Sequence, residues 1–125
     1  MPMSFTPQNS IVWFEIPVTD MARAKSFYGA VLQNELADET GGPNPMAMFV
    51  SAGSAAVSGH IYPGKPAAAG SGSTIHLAVA APLEEAMERV TANGGQVVSP
   101  PIQIPAGRFA YCLDPDGNSI GLFTT

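Results

Sequence analysis

The same order of elements is written twice along the chain. Residues 11–18 alternate, with Val12, Phe14, Ile16 and Val18 on one face and Ile11, Trp13, Glu15 and Pro17 on the other, as in a half-buried strand. A helical pattern follows. Thr19 or Asp20 can cap it, and Met21, Ala24, Phe27, Tyr28 and Val31 recur at helical spacing. Three short strand candidates come next, at 35–39, 47–51 and 56–62. From residue 74 the order recurs, with a strand at 74–80 and a helix over 82–93 that has Pro82 at its first position and Glu84 and Glu85 in its first turn. Gly94 stops that helix, and strands at 96–99, 108–113 and 119–124 complete a second βαβββ unit, offset by about 62 residues from the first.

A strand, helix and three-stranded unit leaves one sheet face bare, because its single helix covers only the other. Two such units are expected to meet. The sequence therefore predicts one α+β domain of two modules, about 10–62 and 74–125, joined by the small-residue linker 63–73. Their strands form a cupped, partly open mixed sheet with helices 20–32 and 82–93 outside and a ligand cavity on the concave face. DPDGN at 114–118 supplies the turn of a closing hairpin. The free sheet edges and shallow cavity mouth predict a homodimer.

Composition narrows the function. Ten Asp and Glu against five Lys and Arg give a formal charge of −5, so no basic surface is available for nucleic acid. With 46% hydrophobic and 12% charged residues, the 125-residue chain can bury a core. No apolar run approaches the roughly 18 residues that span a bilayer, and MPMSFTPQNS lacks the features of an export signal. The single cysteine, Cys112, forms no internal disulfide. These features predict a cytoplasmic protein with neither membrane nor nucleic-acid partner.

EIPVTDMARAKSFYGAVL, EEAMERVTANGG and DPDGNSIGLF together resemble the vicinal oxygen chelate superfamily of glyoxalases, bleomycin-resistance proteins, extradiol dioxygenases and fosfomycin-resistance enzymes. The resemblance spans residues 10–124 and implies paired βαβββ modules around a cupped site. Its metal-dependent members hold a divalent ion through His, Gln or Glu on the first and last strand of each module. Carried onto this chain, the first position falls on Trp13, whose indole nitrogen only donates. The last falls on Gly121, where the pattern DPDGNxIEL has Glu. The repeat of SGHI with SIGL places Gly59 at the fourth-strand position, with His60 beside it. The fifth-strand position falls on Ile75 or His76, depending on loop length. Alternation favours His76, because Leu77 and Val79 then face the helix. At most one of four positions carries a ligand, whereas a divalent ion generally takes three or more.

Glu15 is the only charged residue within its apolar strand and shares a face with Trp13. A carboxylate partly enclosed there would serve as a general base or polar anchor, the one catalytic candidate, unless Arg23, Arg89 or Arg108 neutralises it in an ion pair. Trp13 would stack on an organic ligand or pack between modules. His76 and Tyr111 complete the expected ligand-binding set, with Cys112 turned inward. No Ser-His-Asp order appears, and GSGS at 70–73 precedes a strand rather than a helix, which argues against a phosphate cradle.

Two functions are thus expected of different kinds. The first is binding of a small organic molecule between the modules, as in bleomycin-resistance proteins, without metal or other cofactor. The alternative is a lyase, isomerase or dioxygenase whose divalent ion is held by His60, His76 and Glu15, in the manner of a two-His, one-carboxylate site.

Overall fold

The computed structural model describes residues 5–40, 44–53 and 56–125. Residues 1–4, part of the segment read for an export signal, 41–43 and 54–55 lie outside the described residues.

In chain order the elements are β1 (Trp13–Val18), α1 (Met21–Leu32), β2 (Ala37–Glu39), β3 (Met46–Met48), β4 (Ser58–Pro63), β5 (Ile75–Ala78), α2 (Leu83–Ala92), β6 (Gln96–Val97), β7 (Ile102–Ile104), β8 (Gly107–Leu113) and β9 (Ser119–Thr124). They build an α+β fold of two open mixed sheets. The first runs β1-β4-β3-β2, and the second runs β5-β9-β8-β6 with β7 also on β8. In each sheet the first strand pairs parallel with the last, β1 with β4 and β5 with β9, while the remaining pairs are antiparallel.

Local chemistry sets the boundaries. Asp20 caps α1 by accepting the backbone N–H of Arg23 at 3.0 Å. Gln33 then ends the helix in the left-handed region, at φ 55°. Pro82 stands at the cap of α2 rather than at its first helical position, in extended backbone without a side-chain cap. Three strands were expected after α2, and four form. Pro100 and Pro101 have no N–H to give the ladder, so the partner of β8 is broken in two. β6 pairs with Leu113 and Cys112, and β7 pairs with Phe109, Arg108 and Gly107.

Each helix covers one face of its sheet with an apolar stripe. Ala24, Phe27, Tyr28 and Val31 of α1 are buried with Ile16, Val18 and Ile61. Leu83, Ala86 and Val90 of α2 are buried with Leu77, Ala110, Cys112, Ile120 and Leu122. One core results, and the helices touch, with Arg89 Nε donating to the Val31 carbonyl at 3.1 Å.

The 114–118 turn does more than close the β8–β9 hairpin. Buried Asp114 accepts the Tyr28 hydroxyl at 2.6 Å and the backbone N–H groups of Asp116 and Asn118 at 2.9 Å. Asp116 pairs with Arg23 at 2.8 Å and accepts the Thr19 hydroxyl. Asn118 donates to the Pro17 carbonyl at 2.8 Å. The turn of the second sheet is thereby clasped to the start of α1. Among the described residues, no helix is long and apolar enough to cross a membrane.

Candidate functional site

The faces that the helices leave uncovered carry the candidate residues. On β1, Ile16 and Val18 point into the core, so Trp13 and Glu15 point away from it, as the alternation predicted. On β5 and just after it the buried residues are Leu77 and Val79, which leaves His76 and Ala78 outward, the parity preferred from sequence. On β8, Tyr111 is outward and 37% exposed, while Cys112 is buried and its thiol is pushed up to about 11 by that burial.

On the first sheet, His60 of β4 stands beside Glu15 in the parallel register. The Trp13 indole N–H donates to His60 Nδ1 at 2.9 Å. His60 Nε2 lies 3.2 Å from Glu15 Oε1. Because an indole only donates, Nδ1 must accept, and the ring hydrogen sits on Nε2, the nitrogen nearer Glu15, in a close polar contact that is not aligned as a hydrogen bond. His60 is only 7% exposed, Trp13 is 43% exposed, and the Glu15 side chain is 65% exposed. The enclosure expected for Glu15 is therefore absent. Its carboxylate stands at the surface, held from behind by a buried imidazole. Nor does it have the arginine partner weighed from sequence: Arg23 pairs with Asp116, Arg108 with Glu84, and Arg89 donates to Val31.

On the second sheet, His76 lies within an aromatic group. Its ring is 5.1 Å from Phe109, 5.9 Å from Tyr111 and 6.0 Å from Phe123, centroid to centroid. Partial burial among these rings lowers its pKa. Phe109 and Phe123 were not singled out from sequence. Alternation could have found them, since they stand two residues from Tyr111 and Gly121 on the same faces. Tyr62, whose ring lies 6.0 Å from His60, was missed likewise.

The burial pattern also fixes how the two halves correspond. Matching buried Ile16 and Ile61 with buried Leu77 and Leu122 sets Glu15 opposite His76, Trp13 opposite Thr74 and His60 opposite Gly121. His60 is thus the counterpart of Gly121, and Gly59 is not. Gly59 is instead buried against Phe14, where a Cβ would meet the ring at 2.6 Å.

The three residues named for an atypical ion site do not converge within the chain. His60 touches Glu15, but His76 belongs to the other sheet. Among the described residues, no hydrogen bond, ion pair or ring contact joins the two groups, and no three His, Cys, Asp or Glu side chains are placed to hold a metal. A cavity of about 560 Å³ adjoins the free edge of β5, lined by Phe14, Phe49, Val57, Ile75, His76 and Ala78 among others. That volume suits a small organic molecule. Trp13, Glu15 and Tyr111 do not line it.

A family model described as the glyoxalase/bleomycin resistance protein/dioxygenase superfamily matches residues 10–122. Among solved structures, a glyoxalase/bleomycin resistance protein from Albidiferax ferrireducens T118 is 26% identical with a TM-score of 0.70, over 92% of this chain and 98% of that one. TnmS3, an antibiotic binding protein from Streptomyces sp. CB03234, is 26% identical with a TM-score of 0.63, over 98% of each chain. The fosfomycin resistance protein FosX from Mesorhizobium loti shares the fold, at 21% identity and a TM-score of 0.66, over 97% of this chain and 94% of that one. Comparison with proteins of curated function finds no match. The chain belongs to the glyoxalase/bleomycin resistance protein/dioxygenase superfamily.

Proposed function

We propose that the protein binds a small organic molecule that carries a cation or hydrogen-bond donors, without a resident metal ion and as a homodimer. The observation that carries this reading is the exposed Glu15 carboxylate, linked to His60 and paired with neither an arginine nor a lysine. Trp13 beside it offers an exposed ring for stacking and for cation–π attraction. His76 and Tyr111, on the uncovered face of the other sheet, form the second wall of the site once two copies bring such faces together. The antibiotic-binding relative TnmS3 supports a binding role on this fold, although a shared fold alone does not assign one.

The donor set does not fit a divalent ion. Trp13 and Gly121 cannot ligate and both His60 nitrogens are engaged, so Glu15 and His76, even when two copies bring them to one site, fall short of the three protein ligands such an ion takes. Glu15 accordingly acts as a polar anchor rather than as a metal-assisted base. The lone buried thiol of Cys112 suits a reducing cytoplasm.

Calorimetric titration with 9-aminoacridine, a planar organic cation, tests this reading. Saturable binding that weakens at least about tenfold in Glu15→Gln supports it, a loss worth about 1.4 kcal/mol. Equal binding by wild type and Glu15→Gln contradicts it.

A further inference from the structure

We propose that His60 is a positioning residue, a two-ended link that sets the Trp13 indole and the Glu15 carboxylate together. The inference rests on the reading of this face as a ligand site, but it concerns what holds the face rather than what lands on it. His60 is 7% exposed, too buried to be the main contact of a ligand. Its two nitrogens point in opposite directions, one 2.9 Å from the indole nitrogen and one 3.2 Å from the carboxylate. Tyr62 and Trp13 both flank the ring, with centroids 6.0 Å and 5.8 Å away. The imidazole therefore has little freedom to turn.

Imidazole suits this task because it accepts at one nitrogen while donating at the other. The indole N–H satisfies the acceptor, which leaves a neutral ring with its hydrogen on Nε2. Nε2 faces Glu15 Oε1 at 3.2 Å, a polar contact that holds the carboxylate beside the ring without cancelling its charge, as an arginine partner would. The other carboxylate oxygen remains free for a ligand. An aromatic plane and a fixed, uncancelled carboxylate side by side select a planar organic cation over a neutral molecule of the same shape. The link thus makes specificity depend on a residue that scarcely reaches the surface.

The test compares His60→Gln, which keeps an acceptor and a donor, with His60→Phe, which keeps a ring and neither. Solvent exchange of the Trp13 indole hydrogen, the chain's single indole, is read by NMR on ligand-free protein. We expect slow exchange in wild type and His60→Gln, and exchange about tenfold faster or more in His60→Phe, as loss of one hydrogen bond implies. Equal exchange in wild type and His60→Phe overturns the inference. In parallel, the ratio of affinities for 9-aminoacridine and neutral acridine is measured at pH 7.5. A wild-type preference for the cation of about tenfold, kept by His60→Gln and reduced to within about twofold by His60→Phe with acridine binding unchanged, supports it. A preference that survives His60→Phe overturns it. If indole exchange responds as expected and wild type binds neither dye, the link stands and the ligand reading falls. Should His60→Phe not fold, the ¹⁵N shifts of His60 in wild type decide: hydrogen on Nε2 supports the link, and hydrogen on Nδ1 overturns it.

Discussion

The ring of His76 fills the space that a side chain at Gly121 would need. The two residues are register partners in the parallel β5–β9 pair, and a Cβ at position 121 would lie 2.1 Å from His76 Nδ1. A side chain at 121 would therefore require the His76 ring to leave its present position. Gly121→Ala is expected to cost about 1–3 kcal/mol, the usual range for overpacking. In a His76→Ala background the cost is expected to shrink by about 1 kcal/mol or more, as coupling between touching residues implies. Urea denaturation of the four proteins measures this. Strict additivity would show that His76 moves aside freely.

The Tyr28 hydroxyl and the Asp114 carboxylate, 2.6 Å apart and both buried, join α1 to the terminal hairpin. Burial, then the neighbouring Asp114 charge, hold the Tyr28 hydroxyl well above its ordinary pKa. Tyr28→Phe removes a hydrogen bond to a buried charge and is expected to destabilise the fold by about 1–3 kcal/mol. Equilibrium unfolding that matches wild type would show the contact to be energetically neutral.

Helix stripes and strand alternation made the fold legible, together with the outward parity of His76, because burial on one face imposes a period that a sequence displays. Contacts set by register between distant strands have no such period. Whether Gly59 or His60 is the counterpart of Gly121 depends on how β4 slides along β1, and SGHI does not alternate. Aligned residue by residue with SIGL it does place His60 on Gly121, the one signal present. The clasp from Asp114 and Asp116 to Tyr28 and Arg23 was invisible for a related reason: DPDGN reads locally as a turn, and its partners lie some ninety residues earlier. Pro100 and Pro101 are the local signal for the split of β6 from β7. The exposure of Glu15 could not be read at all, since a charged residue in an apolar strand is equally consistent with an enclosed or a rim position.

Alkaline pH should weaken the fold through Cys112. Its thiol rises from 9.0 to about 11 on burial. Between those values the unfolded chain has released a proton that the native state keeps, so stability falls as pH rises. At about 1.4 kcal/mol per unit, the loss approaches 2–3 kcal/mol by pH 11. Urea midpoints between pH 8 and 10.5 should decline less steeply for Cys112→Ala than for wild type. Parallel declines would place the alkaline sensitivity elsewhere, the raised Tyr28 hydroxyl first.

Ile11, Val12 and Trp13, at and just before the start of β1, and Val98, Ile104 and Tyr111, just after β6 and on β7 and β8, expose 37–72% of their surface, and among the described residues β1 and β5 each have an unpaired edge. Such surface is what a second copy would cover. Light scattering at micromolar concentration is expected to give about twice the 12.9 kDa chain mass. A mass near 12.9 kDa would leave these faces unpartnered and the shared site without its second wall.

We assign recognition of an organic cation to Glu15 and Trp13, joined through His60, without help from a metal ion. Calorimetric titration of 9-aminoacridine into protein before and after EDTA dialysis, with metal content assayed on the same samples, tests it most directly. We expect well under one equivalent of divalent ion, the same dissociation constant within about twofold in both samples, and an unchanged melting temperature. Binding that vanishes on chelation and returns with one equivalent of zinc, nickel, manganese or iron would contradict it.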